Sequence, residues 1–423
     1  MNFRVLRSWI GVPILIAASA HARATGFRLP DQDAFATARG EAFAATADNA
    51  SAIYYNPAGL GQLQGHQLRG GVYGVDLGLS YHFPGGGSFD NRKDLHAVPQ
   101  LFYAYGAETL PLSFGLGIYS PYGLSSEWPQ NTGFRTLATE GSLTYYTINP
   151  VVAWRVLTNL SVAAGLTLNY ADADLQRGLF WPAQSFDNFG FKGDGWDVGY
   201  NLGLLWRAHE KVSIGVAFRS PTTFNLDGRT QYRNDVPLPI PGGPTIPTFP
   251  EQRVDANARF PFPLNAVFGI SFRPTPAWNI EFNADYTDWS RLDTVTIHQA
   301  RPFPPLISQD LPLVFNWESS WYYEFGATRY LRNGWSVSAG YIYNENSVPD
   351  ANYQPMVGDL DRHFLSIGTG FKGKQFAFDA AYQFGYGPTR TVTGSAPSGI
   401  GQTADGQYEF FSHAVLLTAG WHF

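Results

Sequence analysis

The sequence predicts an all-β protein, a 14-stranded antiparallel transmembrane β-barrel with an N-terminal hatch. Three observations carry that expectation. Runs of about ten residues alternate apolar and polar side chains, the length a tilted strand needs to cross a bilayer and about twice that of an ordinary soluble strand. The connectors between these runs are alternately short and long. Tryptophan and tyrosine collect at the ends of the runs rather than at their centres.

The first residues are set apart from the rest. Arg4 and Arg7, the apolar stretch Trp9 to Ala18 and Ala22-Arg23-Ala24 form a signal peptide over residues 1–24, which removes three Arg and no acids and leaves 25 basic against 34 acidic residues. An acidic chain of this kind is not a nucleic-acid binder. Zero Cys excludes disulfides, thiolate metal sites and Cys nucleophiles. Past the leader no run is long and apolar enough for a transmembrane helix.

The first alternating run has Tyr73, Val75, Leu77, Leu79, Tyr81 and Phe83 on one face and Gly74, Asp76, Gly78, Ser80 and His82 on the other. Thirteen more follow, near 96–106, 112–119, 142–154, 159–171, 196–206, 212–219, 264–273, 277–288, 320–330, 335–344, 363–371, 375–384 and 413–423. Short turns such as Arg207 to Lys211 and Leu331 to Gly334 belong on the periplasmic side and the long loops outside. Both termini are then periplasmic, and the protein sits in the outer membrane of a Gram-negative bacterium. Trp154, Trp206, Trp278, Trp335 and Trp421 form an inner girdle, and Tyr170, Trp196, Tyr286, Trp289, Trp321 and Tyr341 an outer one. The polar faces point inward with Asp76, Asp197, Glu281, Asn283, Asp285, Asp379, Arg219 and Arg273. The cost of a lipid-facing charge turns Glu324 inward as well. In the run 159–171, Leu166 faces lipid and Thr167 a lumen with room for a larger side chain.

Residues 25–64 do not alternate. They are Ala-rich, admit short helices, and close in Asn56-Pro57-Ala58-Gly59-Leu60. Such a composition is a poor match to disorder, so the segment is read as a hatch packed inside the barrel, with residues 65–423 as the barrel itself. Here the chain resembles the FadL/TodX family of outer-membrane transporters for long-chain fatty acids and aromatic hydrocarbons. The resemblance rests on Gly26-Phe27, on Tyr54 to Leu60, on Ser120-Pro121-Tyr122-Gly123-Leu124-Ser125-Ser126-Glu127-Trp128, and on Asp285-Tyr286-Thr287-Asp288-Trp289-Ser290. Gly340-Tyr341, Val348-Pro349-Asp350 and the terminal Phe423, which is similar to the signal read by the barrel assembly machinery, add to it. It implies passive diffusion of hydrophobic small molecules, bound first among the outer loops, then in an internal pocket, and released sideways through a gap at a kinked third strand. The lateral-gate candidates are Gly115 and Gly117, with Pro121 beyond them. The hatch candidates are Phe27, Asn56, Pro57, Ala58 and Gly59, and the substrate candidates are Arg219, Tyr122, Leu124 and Trp128. An inward Arg219 could hold a carboxylate, although an interior Arg beside Asp197 and other acids is more often a wall salt bridge.

Enzymatic signals are thin. No His-Glu-x-x-His or Gly-x-Ser-x-Gly spacing occurs, and no cofactor or metal site is expected. The carboxylates Asp359 and Asp361 beside His363, and Asp285, Asp288 and Asp293, read as solvated loop acids. The Pro-rich stretch Val236 to Pro250 reads as stiff extended backbone, or as a lid over an apolar groove. Besides a hatch-plugged monomeric transporter in contact with outer-membrane lipid, the chain leaves open uptake of aromatic hydrocarbons or alkanes, an open porin for polar solutes, and a barrel enzyme or surface-binding protein.

Overall fold

A computed structural model describes residues 26–423 apart from 93–94, 181–186, 236, 240–244, 247 and 304–306. The signal-peptide reading lies outside the described residues, as does part of the Pro-rich stretch. Fourteen strands form the wall: β1 (Gly65–His82), β2 (Leu95–Gly106), β3 (Leu112–Tyr119), β4 (Glu140–Leu157), β5 (Leu160–Arg177), β6 (Asp187–His209) and β7 (Val212–Arg219), then β8 (Asn265–Phe272), β9 (Trp278–Thr287), β10 (Ser320–Tyr330), β11 (Trp335–Asn344), β12 (Arg362–Lys372), β13 (Phe376–Val392) and β14 (Gly406–His422). Each is antiparallel to the next, and β14 closes on β1 from Gln67 opposite His422 to His82 opposite Gln407. Closure pairs nearly all of the wall on both sides, because a lone backbone N–H or C=O in hydrocarbon has no water to turn to.

Burial alternates along most strands as the sequence predicts. Leu166, Val198, Ile270, Phe325 and Leu365 face outward, and all five inner-girdle tryptophans are exposed. Glu324, Glu281, Asn283, Asp285 and Asp379 are buried inside. Thr167 is inside but not in open space, because its Oγ1 accepts from Asn169 Nδ2 at 3.0 Å in a filled lumen.

Two faces differ from expectation. On β1 the apolar side is the inner one: Tyr73, Val75, Leu79 and Tyr81 are buried, whereas Val72 is 47% exposed. Asp76 therefore lies on the outward face, directly opposite the exposed His413 of β14. The rule that polar residues point inward assumes a wet lumen, and at this level the lumen is apolar. Trp289 likewise leaves the outer girdle. It is fully buried, its ring 4.8 Å from Phe27 and 5.1 Å from Trp317.

The longest connector is also more ordered than a surface loop. Thr222–Asn234 and Phe249–Phe262 form a hairpin that pairs with the outer end of β6, from Asp187 opposite Asn234 to Asp194 opposite Asp227. Ladder pairing continues from this hairpin to Thr294–Gln299 and on to Asp310–Val314. The sheet thus rises past the girdle marked by Tyr170 and Trp196 into the aqueous side.

The inverted face of β1 makes a specific prediction. Val72→Arg, opposite Leu417 and well inside the Trp421 girdle, should destabilise the barrel by about 2–4 kcal/mol in urea unfolding from lipid vesicles. Asp76→Ala should leave stability within about 1 kcal/mol, since an outward charge near the interface costs little.

Candidate functional site

The wall has a stretch beside β3 where two neighbouring strands part. β3 pairs with β2 only from Ser113–Gly106 to Ile118–Leu101, so residues 95–100 of β2 are laddered to β1 alone. Pro99, which has no N–H, sits on this edge, where a proline is tolerated. After Tyr119 the chain leaves the wall at Ser120–Tyr122. It returns as Gly123–Glu127, paired to β4 and not to β2. The N-terminal segment holds the displaced turn: Leu29 N donates to Pro121 O at 2.9 Å, Gly123 N to Phe27 O at 3.0 Å, and Gln32 Nε2 to Ser120 O at 2.9 Å. At the outer end the parting is bridged by Arg92, whose N donates to Glu127 O at 2.8 Å and whose guanidinium meets the Glu127 carboxylate at 2.9 Å.

The glycines expected to mark this place do not lie in the parting. A side chain at Gly115 would collide with Leu60 and Ile53, and one at Gly117 with Ile53, so both serve close packing of the N-terminal segment. The break begins one turn later, at Ser120 and Pro121.

Behind the parting lies a cavity of about 400 Å³. Its walls are the inverted face of β1 (Tyr73, Val75, Leu77, Leu79), the free edge of β2 (His96 to Pro99), Tyr122 and Leu124 of the displaced segment, and Phe364 and Phe410 opposite. Its floor is Phe27 to Asp31 of the N-terminal segment. A second, smaller apolar pocket of about 80 Å³ lies toward the loops, lined by Leu175, Phe189, Phe191, Ile297, Leu313 and Phe315. The two share Phe27, Leu124, Leu143, Met356 and Val357. Phe27 is the waist between them, in edge or tilted contact with Tyr122, Phe260, Phe262, Trp289 and Trp317.

One cation stands in the outer pocket. Arg177 lies 5.2 Å over the Phe189 ring, and among the described residues its guanidinium has neither a hydrogen bond nor an acidic partner. Arg219, the residue singled out from sequence, is engaged elsewhere. It points inward as parity requires, but it lies 4.0 Å over the Tyr54 ring, donates to Tyr54 O and to Asn265 Oδ1, and lines neither the cavity nor the outer pocket. Trp128 is buried against Phe134 with its indole N–H on Pro355 O at 3.0 Å, behind the cavity rather than on it. Tyr122, Leu124 and Phe27 do line the cavity.

Residues 26–64 are nearly all buried within the barrel, with two short helices, α1 (Ala34–Ala38) and α2 (Ala52–Tyr55), and a 3₁₀ turn at Pro57–Gln62. Asn56 organises the turn. Its Oδ1 accepts from Ala58 N at 3.2 Å, and its Nδ2 donates to Ala44 O at 2.7 Å and to Leu204 O of β6 at 3.0 Å. A side chain on Gly59 would strike Ala47. Below the cavity the contact with the wall is ionic: Arg28 with Asp285 at 2.6 Å, Arg39 with Glu281 at 3.4 Å, and Arg69 shared between Asp33 and Asp379, the latter at 2.6 Å. Fixed charges with their hydrogen bonds made offer nothing to an apolar solute.

This geometry has relatives. A family model described as outer membrane protein transport protein (OMPP1/FadL/TodX) matches residues 15–423. The chain belongs to this family. Members of the FadL/TodX family are outer-membrane transport channels for fatty acids and aromatic hydrocarbons, and the chain is an outer-membrane protein. It is 22% identical over 421 residues to the long-chain fatty acid transport protein of Escherichia coli, covering 90% of this chain and 89% of that one. The fold is that of a Pseudomonas aeruginosa FadL homologue (TM-score 0.81, 18% identity, 94% of this chain and 100% of that one). It is also that of the Pseudomonas putida toluene transporter TodX (TM-score 0.73, 16% identity, 94% and 100%).

The seat of the N-terminal segment depends on inward glycines. A side chain at Gly340 of β11 would meet the backbone of Arg39 and Gly40 at 2.0–2.2 Å, and one at Gly215 of β7 the carbonyl of Ala44 at 2.1 Å. Gly340→Val should therefore unseat the segment while the wall ladder persists. The expected result is protease cleavage within residues 26–64 of a barrel that still migrates as folded on a heat-modifiability gel.

Proposed function

We propose that the protein carries long-chain fatty acids across the outer membrane by passive diffusion, from the outer pocket past Phe27 into the cavity and out sideways between β2 and the displaced Gly123–Glu127 segment. The observation that carries this reading is the apolar cavity placed directly behind this parting of wall strands. A porin would need a wet, continuous lumen, whereas here the way down is filled by residues 26–64 and their ion pairs, which act as a hatch. Arg177, without an acidic partner among the described residues, favours a cargo with a carboxylate over a pure hydrocarbon, since a guanidinium over an aromatic ring is a ready bidentate partner for it. The inner cavity, well above a monoaromatic ring in volume, points the same way.

Arg177→Gln should weaken palmitate binding about tenfold, the loss of one charge-assisted contact, and leave toluene binding within about twofold. Fluorescence displacement on purified protein decides it, and equal loss for both ligands would remove the carboxylate reading. The hatch is tested in planar bilayers. Intact protein should show little conductance, and Asn56→Ala, which frees the Ala44 and Leu204 carbonyls, should give intermittent channel openings with normal assembly. A wild-type protein that conducts steadily would favour a porin instead.

A further inference from the structure

Four acids at the contact between the N-terminal segment and the wall have an arginine each or share one: Asp285, Glu281, Asp33 and Asp379. Asp31 and Glu41 do not. Both are at least nine-tenths buried, and among the described residues neither forms an ion pair. Asp31 lines the inner cavity beside Gln383, whose Nε2 donates to Asp31 Oδ1 at 3.0 Å. Glu41 lies behind it, with Oε2 accepting from the Tyr55 hydroxyl at 2.6 Å. Glu41 Oε1 is buried and has no hydrogen-bond partner among the described residues, and Asp31 is near enough for its charge to act on Glu41. Two buried acids this close, with no arginine paired to either, are accommodated when one of them holds a proton.

We infer that the Asp31–Glu41 pair is the proton donor that neutralises a fatty-acid carboxylate in the cavity before the cargo leaves sideways into the bilayer. This rests on the fatty-acid reading above. The need for such a step is electrostatic, because an ionised carboxylate drawn into hydrocarbon bears a desolvation penalty that a protonated acid does not. The step balances simply. The O–H bond of the protonated acid breaks, an O–H bond forms on the cargo carboxylate, and the pair is left with both charges until it takes a proton from water on the aqueous side. No redox change or further reactant is involved.

The surroundings suit a donor that must part with its proton near neutral pH. Burial pushes Asp31 up to about 6, with hydrogen bonds from Glu41 and Gln383 pulling the other way, and burial with the nearby Asp31 charge holds Glu41 well above the usual carboxylate range. A fatty acid entering an apolar cavity has its own carboxyl shifted upward for the same reason, which brings the acceptor toward the donor. The groups facing the pair are Arg28 beside Asp31, Thr37 of α1, Tyr54 and Tyr55 of α2, Tyr73 of β1, Arg219 of β7, Asp285 of β9, Glu324 of β10 and Gln383 of β13, with Arg362 of β12 across the cavity. Each arginine nearby is held by another group: Arg28 by Asp285 at 2.6 Å, Arg219 by Tyr54 O and Asn265 Oδ1, and Arg362 near Asp359 at 3.8 Å and over the Phe410 ring.

The experiment compares palmitate with hexadecanol, a cargo of equal length that has no carboxylate, in proteoliposomes containing full-length protein. Asp31→Asn should slow palmitate transfer about tenfold or more, the usual scale of a lost proton donor, and leave hexadecanol within about twofold. Glu41→Gln should do the same. In the wild type the palmitate rate should fall as pH rises from 6 to 9 and the pair loses its proton, the hexadecanol rate should stay flat, and both variants should lose the steep pH dependence. Parallel loss of both cargoes in folded variants would make the pair structural and overturn the inference, as would variants that match wild type on palmitate. A wild-type protein that moves hexadecanol but not palmitate would overturn the fatty-acid reading, and the proton step with it.

Discussion

Backbone hydrogen bonding in a medium without water is the constraint on which everything else in this molecule rests. In hydrocarbon each peptide group must find its partner within the protein, and a closed antiparallel ladder from β1 round to β14 provides those partners. Once the ladder is closed, any departure from it is costly and therefore informative. At residues 95–100 of β2 the ladder on one side is simply not made. The peptide groups of Pro121 and Gly123 that would have turned toward the wall are satisfied instead by Phe27 and Leu29, from inside. The opening and the N-terminal segment are one hydrogen-bonded unit, so neither can be described without the other.

The interior divides by polarity. Above, around Phe27, it is aromatic and aliphatic, with Trp289 and Trp317 stacked away from the bilayer. Below, Arg28, Arg39 and Arg69 tie the N-terminal segment to acids on β9 and β13. Removing one member of such a buried pair leaves the other charged and alone, which costs far more than an exposed pair would. An apolar solute therefore meets a compatible surface down to the level of Asp31 and an incompatible one beyond it. On the proposed route it is that polarity step, rather than any steric stop, that turns the solute toward the wall.

Strand number, order and most facings were legible because a bilayer demands long strands with strict period two, and loops of unequal length follow from the two sides of the membrane. Glu324 shows how far the cost of a lipid-facing charge can reach into an ambiguous run. The failures share a cause. β1 and Trp289 were misplaced because apolar residues were assigned to lipid, and the one region of apolar lumen gives the same alternation with the opposite facing. The hairpin from Thr222 to Phe262 was hidden because its outward face, with Asn225, Asp227 and Arg229, is as polar as a loop. Arg219 was a reasonable candidate by parity alone; only the position of Tyr54, contributed by a distant part of the chain, shows that it is occupied. Arg177 and Asp31 carried a weaker signal, a charge at the end of an apolar run and an acid in an Ala-rich segment, and nothing local distinguishes a charge with a partner from one without.

The hairpin that prolongs β6 has a consequence for the energetics of capture. Because ladder pairing passes from Asp187–Asp194 through Thr222–Asn234 and Phe249–Phe262 to Thr294–Gln299, the outer pocket is floored by sheet rather than by mobile loop. A scarce solute arriving from water then has little chain to order on contact, and the free energy of removing its surface from water appears as affinity instead of being spent on folding the receptor. A receptor preshaped in this way draws its selectivity from the fixed dimensions of the pocket, so it discriminates by the girth of a molecule more sharply than by its length, which the passage beyond Phe27 leaves free to vary.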